Sequence, residues 1–388
     1  MPQQPVTNVY LDYNATAPAR AEVIDAMADA LRLGAINPSS VHGPGREARK
    51  LVEAARARVA ALAGAEADQV VFTSGGTEAN NMVLTGTGRK RILVSAVEHA
   101  AVLRTALVRA ADCEVVPVDA AGRVDLDVLA RLLGDDDAPA LVSVMAANNE
   151  TGVLQPVGDV AWIAHEHGAL MHTDAVQAAG KIDIDIDAWD VDFLTLSAHK
   201  IGGPQGVGAV VCRDTDELRP MLLGGGQERG RRAGTENVAG IVGFGVAAEL
   251  ALAELPTAAT HTRDLRDRLE ARLKDAVPHM TIFSEAAERL PNTSCFTMPG
   301  VRNDTQVMAL DLAKFAVSAG SACSAGKVEP SHVLEAMGAG EAEAIQAIRV
   351  SLGGESQADE IEAFGDAWLE LWKRKSNSRD AGDARPAA

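Results

Sequence analysis

Phe193-Leu194-Thr195-Leu196-Ser197-Ala198-His199-Lys200-Ile201-Gly202-Gly203-Pro204-Gln205-Gly206 is the stretch on which the reading of this chain turns. An apolar, β-prone run over 191–196 breaks into Ser197, His199 and Lys200 and then into a glycine-rich loop. A lysine at the end of a buried strand is costly to desolvate, and burial readily lowers its pKa. Such a lysine suits Schiff-base chemistry, with Ser197 and His199 placed to hold a phosphate beside it. Taken alone, Ser-x-His-Lys fits a snorkelling surface lysine equally well.

Upstream segments add partners for that lysine. A short apolar run over 168–171 ends in His172-Thr173-Asp174-Ala175-Val176-Gln177. An aspartate at such a strand end can pair with a protonated pyridine nitrogen, which keeps pyridoxal phosphate an electron sink. Gln177 can then reach the phenolic oxygen of the same ring, whereas a helix N-cap would account for Asp174 without any ligand. Val70-Val71-Phe72-Thr73 leads into Ser74-Gly75-Gly76-Thr77-Glu78-Ala79-Asn80. That is strand, glycine turn and helix start, a geometry that cradles phosphate with backbone N–H groups, here from Gly76 and Thr77. An ordinary strand-to-helix turn reads the same way. His99 follows another strand-like run over 91–95, where its ring can stack on a flat cofactor or simply serve the fold.

Strand-like runs recur at 69–73, 91–95, 114–118, 140–145, 169–173, 192–196 and 207–212, with helical patterns at 77–84, 100–110, 126–133 and 157–167. Alternation of this kind predicts an α/β fold with a mostly parallel seven-stranded sheet and functional loops at the carboxyl ends of its strands. The run 265–276 reads as a helix entering a smaller α+β unit, with strands near 292–298 and 347–352 and a helix over 358–373. The expected division is a large domain over 15–255, a small domain from 1–14 plus 256–375, and a disordered tail over 376–388.

Composition narrows the function classes. A net charge of −18 argues against nucleic acid as a direct partner, although Arg229-Gly230-Arg231-Arg232 makes a local basic patch. The longest apolar run, 238–248, is too short to span a bilayer and reads as a buried helix, so no membrane partner is expected. Met1-Pro2-Gln3-Gln4-Pro5 does not look like an export signal, so a cytoplasmic location is expected. The cysteines at 113, 212, 295 and 323 show no metal-ligand spacing, so neither a metal site nor a disulfide framework is expected. Cys212 and Cys295 have apolar neighbours, as inert thiols do. Cys323 differs: it sits among Gly320, Ser321, Ala322, Ser324, Ala325 and Gly326, a stretch with little to bury. Mobility there would suit a nucleophilic thiol.

Taken in order, these segments resemble the class V aminotransferase group of pyridoxal-phosphate enzymes. The resemblance rests on Tyr10-Leu11-Asp12-Tyr13-Asn14-Ala15-Thr16, Thr73 to Glu78, Glu98-His99, Asn148-Asn149-Glu150-Thr151-Gly152, His172 to Gln177, Ser197 to Lys200 and Arg232-Ala233-Gly234-Thr235. Within that group, Ser318 to Gly326, followed by Glu329-Pro330-Ser331-His332, is similar to the active loop of NifS/IscS-type cysteine desulfurases. The resemblance implies a fold-type I transferase, a homodimer, and pyridoxal 5′-phosphate held by Gly76, Thr77, His99, Asn149, Asp174, Gln177, Ser197, His199 and Lys200, with Thr235 reaching the neighbouring subunit's cofactor. It implies Lys200, Cys323 and His99 as catalytic residues, and Asn149 and Arg349 as the grip on the L-cysteine carboxylate; an ordinary strand-end charge is the other reading of Arg349. It further implies alanine and a Cys323 persulfide as products. The sulfur would pass to an iron–sulfur scaffold or other acceptor protein, and Cys323 would be the group touching a cluster transiently. Another class V enzyme, an aminotransferase or selenocysteine lyase, and a non-catalytic scaffold are the competing readings.

Overall fold

The computed structural model describes residues 8–319 and 330–383. A two-residue strand β1 (Val9–Tyr10) precedes two helices, α1 (Ala21–Arg32) and α2 (Gly43–Leu62). The sequence reading assigned no element to these helices. In α2 half of the buried positions are the small residues Gly45, Ala48, Ala55 and Ala60, set among arginines, which weakens the apolar period.

Seven strands then form one sheet: β2 (Val70–Thr73), β3 (Arg91–Ser95), β4 (Asp112–Val116), β5 (Ala140–Ser143), β6 (Leu170–Asp174), β7 (Phe193–Ser197) and β8 (Gly208–Cys212). Their order is β2-β8-β7-β6-β5-β3-β4. Strands β3 to β7 pair in parallel, as expected where a helix or long crossover lies between strands. Strand β8 is antiparallel to both its neighbours, β2 and β7. The short glycine-bearing link from Ser197 to Gly208 has no room for a crossover helix, so the chain turns straight back.

Helices cover both faces. On one side lie α3 (Gly76–Gly86) and α4 (Ala100–Arg109); α5 (Leu126–Asp135), α6 (Val157–Glu166) and the first half of α7 (Val238–Ala276) cover the other, with α1 and α2. Alternation along β7 shows the two faces: Leu194 and Leu196 join the core that holds Phe244 of α7, while Phe193 joins the core that holds Met82 of α3. Segment 238–248 is buried, as expected, but it does not end there. One helix runs to Ala276 through Pro256. A proline removes one helical hydrogen bond; here the helix survives because packing holds both halves, α1 and α2 on the first, and Phe364 and Trp368 against Leu265, Leu269 and Leu273 on the second.

Beyond α7 come β9 (Thr293–Thr297), α8 (Asn303–Leu312), β10 (Phe315–Ala316), α9 (His332–Ala336), α10 (Glu341–Ala344), β11 (Ala347–Ser351) and α11 (Ala358–Asp383). Strands β9 and β11 pair antiparallel, and β10 pairs with β1. Their core gathers Leu11, Leu269, Phe296, Ile348, Phe364 and Trp368. The N-terminal arm is thereby tied to the C-terminal unit. The C-terminal helix corrects one expectation: it continues to Asp383, into the tail read as disordered, and only 384–388 lie outside the described residues there. Charged and polar composition suggested disorder, but a helix already nucleated on the Trp368 core propagates at little further cost.

Candidate active site

The carboxyl ends of β6 and β7 face the first turn of α3. Gly75 caps that helix with φ +147°, a conformation that L side chains rarely adopt, and no side chain caps the helix N-terminus. Its first N–H groups are therefore left for an outside acceptor. A side chain added at Gly76 would meet Val176 Cγ2 at 3.0 Å and Ser197 Cβ at 3.4 Å. Gly76 and Ser197 thus line one small concavity, with Thr77 next in line on the same turn. This cradle, with a buried hydroxyl beside an uncapped helix end, fits a phosphate.

Asp174 ends β6 and is buried. Its Oδ1 accepts from the Val176 N–H at 3.0 Å and its Oδ2 from Asn80 Nδ2 at 2.6 Å. The capping reading is therefore half right: one oxygen caps a local turn, while the other belongs to a side-chain network. The carboxylate keeps lone pairs for a further donor, as a protonated ring nitrogen requires.

Lys200 follows β7 in a single 3-10 turn, Ala198–Lys200. Its Nζ donates to the carbonyls of Asn14 at 2.6 Å and Ala15 at 2.8 Å. Gln177 Nε2 donates to the same Asn14 carbonyl at 2.9 Å, and Gln177 Oε1 accepts from Lys181 Nζ at 2.9 Å. Burial first, then the charges of Lys200 and Arg349, pull Lys181 down to about 7. His199 Nδ1 lies 3.2 Å from Thr16 Oγ1. Burial and the two lysines push His199 down to about 4, so the ring is neutral at physiological pH. The N-terminal arm thus orients both members of the His199-Lys200 pair. Beside Lys200 opens a cleft of about 660 Å³, lined also by Tyr13, Lys181 and Asn292.

His99 is the N-cap of α4, and its Nδ1 accepts from the Ala101 N–H at 3.1 Å. The ring proton must then sit on Nε2 of the neutral ring. The structural role and the proposed stacking role are compatible, since capping fixes the ring plane. Its neighbour Glu98 is fully buried; Oε1 accepts from Ser95 Oγ and from the Met145 N–H, both at 2.7 Å, and Oε2 has no partner among the described residues. Burial pushes Glu98 up to about 8.

Arg349 is buried on β11, not an exposed strand-end charge. Its Nη2 donates to Asp12 Oδ1 at 2.6 Å and its Nη1 to the Asn149 carbonyl at 2.8 Å, while the buried Nε has no partner among the described residues. A buried N–H with no acceptor is costly, and an entering carboxylate would relieve that cost. Asn149 is brought to Arg349 through its backbone.

Cys323 lies outside the described residues, as do Gly320 and Gly326, but the chain on either side of it does not. Ser318 exchanges backbone hydrogen bonds with Arg349 at 2.7 and 3.2 Å. On the far side, Ser331 Oγ donates to Glu150 Oε2 at 2.5 Å and His332 Nε2 lies 3.1 Å from the Glu98 carbonyl. The described flanks are therefore held on Arg349 at one end and on Glu150 and Glu98 at the other. Cys323 is four residues past Ala319, so a fully extended chain carries it no more than about 14 Å away. The other cysteines are poor nucleophiles. Burial raises Cys212 to about 12 and raises Cys295 well above the usual thiol range; burial and then Asp112 and Glu114 raise Cys113.

Thr235 stands apart. It is exposed on the segment before α7, and makes none of the described hydrogen bonds that join the other candidates. Its neighbour Arg232 instead reaches the phosphate turn, donating to Glu78 Oε1 and Ser74 Oγ, both at 2.8 Å. Sequence reasoning gave no role to Asp12, Asn14, Asn80, Thr195, Glu98 or Lys181. Asp12, Asn14 and Asn80 lay inside quoted motifs, and Thr195 was legible as a lone hydroxyl in an apolar strand; Lys181 carried no signal.

Residues 9–364 match the family model described as aminotransferase class-V. A cysteine desulfurase of Cereibacter sphaeroides is 46% identical over 364 residues, covering 91% of this chain and 93% of its own. The cysteine desulfurase IscS of Dictyoglomus turgidum is 42% identical over 354 residues, 89% of each chain. Among solved structures, a NifS-like protein from Rickettsia africae superposes with a TM-score of 0.87 at 36% identity, covering 94% of this chain and 99% of that one.

Proposed function

The chain belongs to the class V aminotransferase family, and from that premise we infer that it is a cysteine desulfurase using pyridoxal 5′-phosphate. The observation that carries the reading is the anchoring of the Cys323 segment: one end on Arg349, the other beside Glu98 and Glu150. An aminotransferase has no use for a thiol tethered there. The donor set fits the cofactor: the Gly76–Ser197 concavity for phosphate, Asp174 for the ring nitrogen, Gln177 for the phenolic oxygen, and Lys200 for the aldehyde carbon. Bound there, the cofactor supplies an electron sink that labilises bonds at an amino acid's α-carbon.

The residues divide the remaining work. Lys200 would hold the cofactor's aldehyde carbon, and its amine is the group that would move the proton at the substrate α-carbon. Arg349, with its unpaired Nε, binds the L-cysteine carboxylate, and Asp12 with the Asn149 carbonyl holds the guanidinium in plane. His99, its ring held by the cap to Ala101, would lie against the cofactor ring and pass protons through Nε2. The Cys323 thiolate attacks the substrate sulfur: an S–S bond forms, the Cβ–S bond breaks, and its electron pair ends on carbon, which is protonated to alanine. Cys323 is left as a persulfide.

Further parts of the reading concern partners. Two copies pair so that Thr235, exposed in the single chain, reaches the phosphate held by the other. The persulfide passes to an iron–sulfur scaffold or another thiolation acceptor. The described cysteines are free thiols, which suits a reducing cytoplasm. The test is to incubate the protein with L-cysteine and a reducing thiol and to measure alanine and sulfide together. Equal amounts of both, abolished by Cys323→Ser, support the reading. A keto acid without sulfide, or full sulfide release by Cys323→Ser, overturns it.

A further inference from the structure

Four hydrogen bonds beneath Asp174 run in one direction. A carboxylate only accepts, so Asn80 must present its NH₂ to Asp174 Oδ2, 2.6 Å away. The Asn80 carbonyl oxygen then faces Thr195, whose hydroxyl donates to it at 2.5 Å. With its proton committed, Thr195 Oγ1 can only accept from His172 Nε2, at 3.4 Å. His172 Nδ1 is thereby the acceptor for the Ser143 hydroxyl at 2.8 Å. Burial holds His172 down to about 3, so the imidazole is neutral and has a single proton to place. Each donor therefore points towards Asp174.

The sheet register builds this line. Ser143 sits opposite His172 across β5 and β6, and Asp174 sits opposite Thr195 across β6 and β7. Asn80, on α3, spans the two strand ends. Asn80 is 1% exposed, and Thr195, His172 and Ser143 are 0% exposed. No water competes with such a chain, and successive hydrogen bonds polarise one another.

We propose that Asn80, backed by Thr195, His172 and Ser143, is a positioning residue that keeps Asp174 a carboxylate, so that the proton shared with the cofactor's ring nitrogen stays on the nitrogen. The inference rests on the pyridoxal-phosphate reading above. An acid–pyridine pair has two forms, carboxylate with protonated ring or neutral acid with neutral ring. Donors aimed at the carboxylate favour the first form. A hydrogen bond to a charged group shifts such a balance by roughly tenfold to a hundredfold. Losing the Asn80 donor removes one of the two hydrogen bonds that the described residues give to the Asp174 carboxylate.

The experiment reconstitutes the protein with pyridoxal phosphate carrying ¹⁵N in the ring, and reads the ¹⁵N chemical shift, which separates protonated from neutral pyridine. Wild type should show the protonated shift. Asn80→Ala should move it towards the neutral value. Thr195→Val, which leaves Asn80 and Asp174 in place, should move it the same way by less, and Thr195→Ser should restore it. Wild-type shifts in both Asn80→Ala and Thr195→Val overturn the proposal, as does a Thr195→Ser variant that behaves like Val. Wild-type protein that carries no pyridoxyl group on Lys200 after borohydride reduction overturns the cofactor assignment itself, and this inference with it.

Discussion

Replacing Glu98 by Gln should remove a loss of stability that wild type suffers as pH rises. Glu98 is buried, its Oε2 has no partner, and burial raises its pKa from 4.5 to about 8. The folded form therefore retains a proton that the unfolded chain gives up. Stability linked to that proton is fully present below 4.5 and is lost as pH climbs through 8. Across the window the loss is on the order of 5 kcal/mol, with about 3 kcal/mol falling between pH 5 and pH 7. Gln keeps an acceptor for Ser95 Oγ and the Met145 N–H and cannot ionise. Chemical denaturation from pH 5 to pH 9 should show the two stability curves diverging, with wild type falling relative to Glu98→Gln. Infrared difference spectra should show a protonated carboxylic acid in wild type that is absent from the variant and titrates away near pH 8. Parallel stability curves, with no carboxylic acid band at pH 6, would refute the reasoning.

Other expectations can be checked with single variants. Arg349→Lys cannot keep both Asp12 and the Asn149 carbonyl while offering a forked pair to a carboxylate; its KM for L-cysteine should rise tenfold or more, at about 1.4 kcal/mol per decade, and an unchanged KM would return Arg349 to a structural role. Borohydride reduction and peptide mapping should place the pyridoxyl group on Lys200; a label on Lys181, which burial pulls down to about 7, would sink the assignment. Brief alkylation at pH 8 should modify Cys323 before Cys212 and Cys295, whose buried thiols stay protonated there; equal labelling would contradict their inertness. Gly353→Ala would drive a methyl into the Tyr13 ring, so thermal unfolding should show a loss of about 1–3 kcal/mol; an unchanged midpoint would mean that the Tyr13 contact yields freely.

The amino-acid sequence carried the sheet and the chemistry-bearing positions because both are written locally. Seven apolar runs, each ending in polar residues or a turn, announce strands whatever surrounds them, and Asp174, Ser197 and Lys200 sit at those ends in the chain as they do in space. Pairing order was less local. That β8 turns back against β7 followed from a link too short for a crossover, but α2 was silent because alanines set among arginines make a weak period. The two helical stretches read at 238–248 and 265–276 prove to be one helix that runs through Pro256. The polar residues that act through others were the least legible. Nothing near Asp12 in the chain says that it meets Arg349, 337 positions away. Nothing near Asn80 says that its amide lies between Asp174 and Thr195. Those partners are chosen by sheet register and by the N-terminal arm crossing to the C-terminal unit. Burial then gives the meetings their force, since a hydrogen bond or an unpaired Nε matters far more where water cannot substitute for the missing partner.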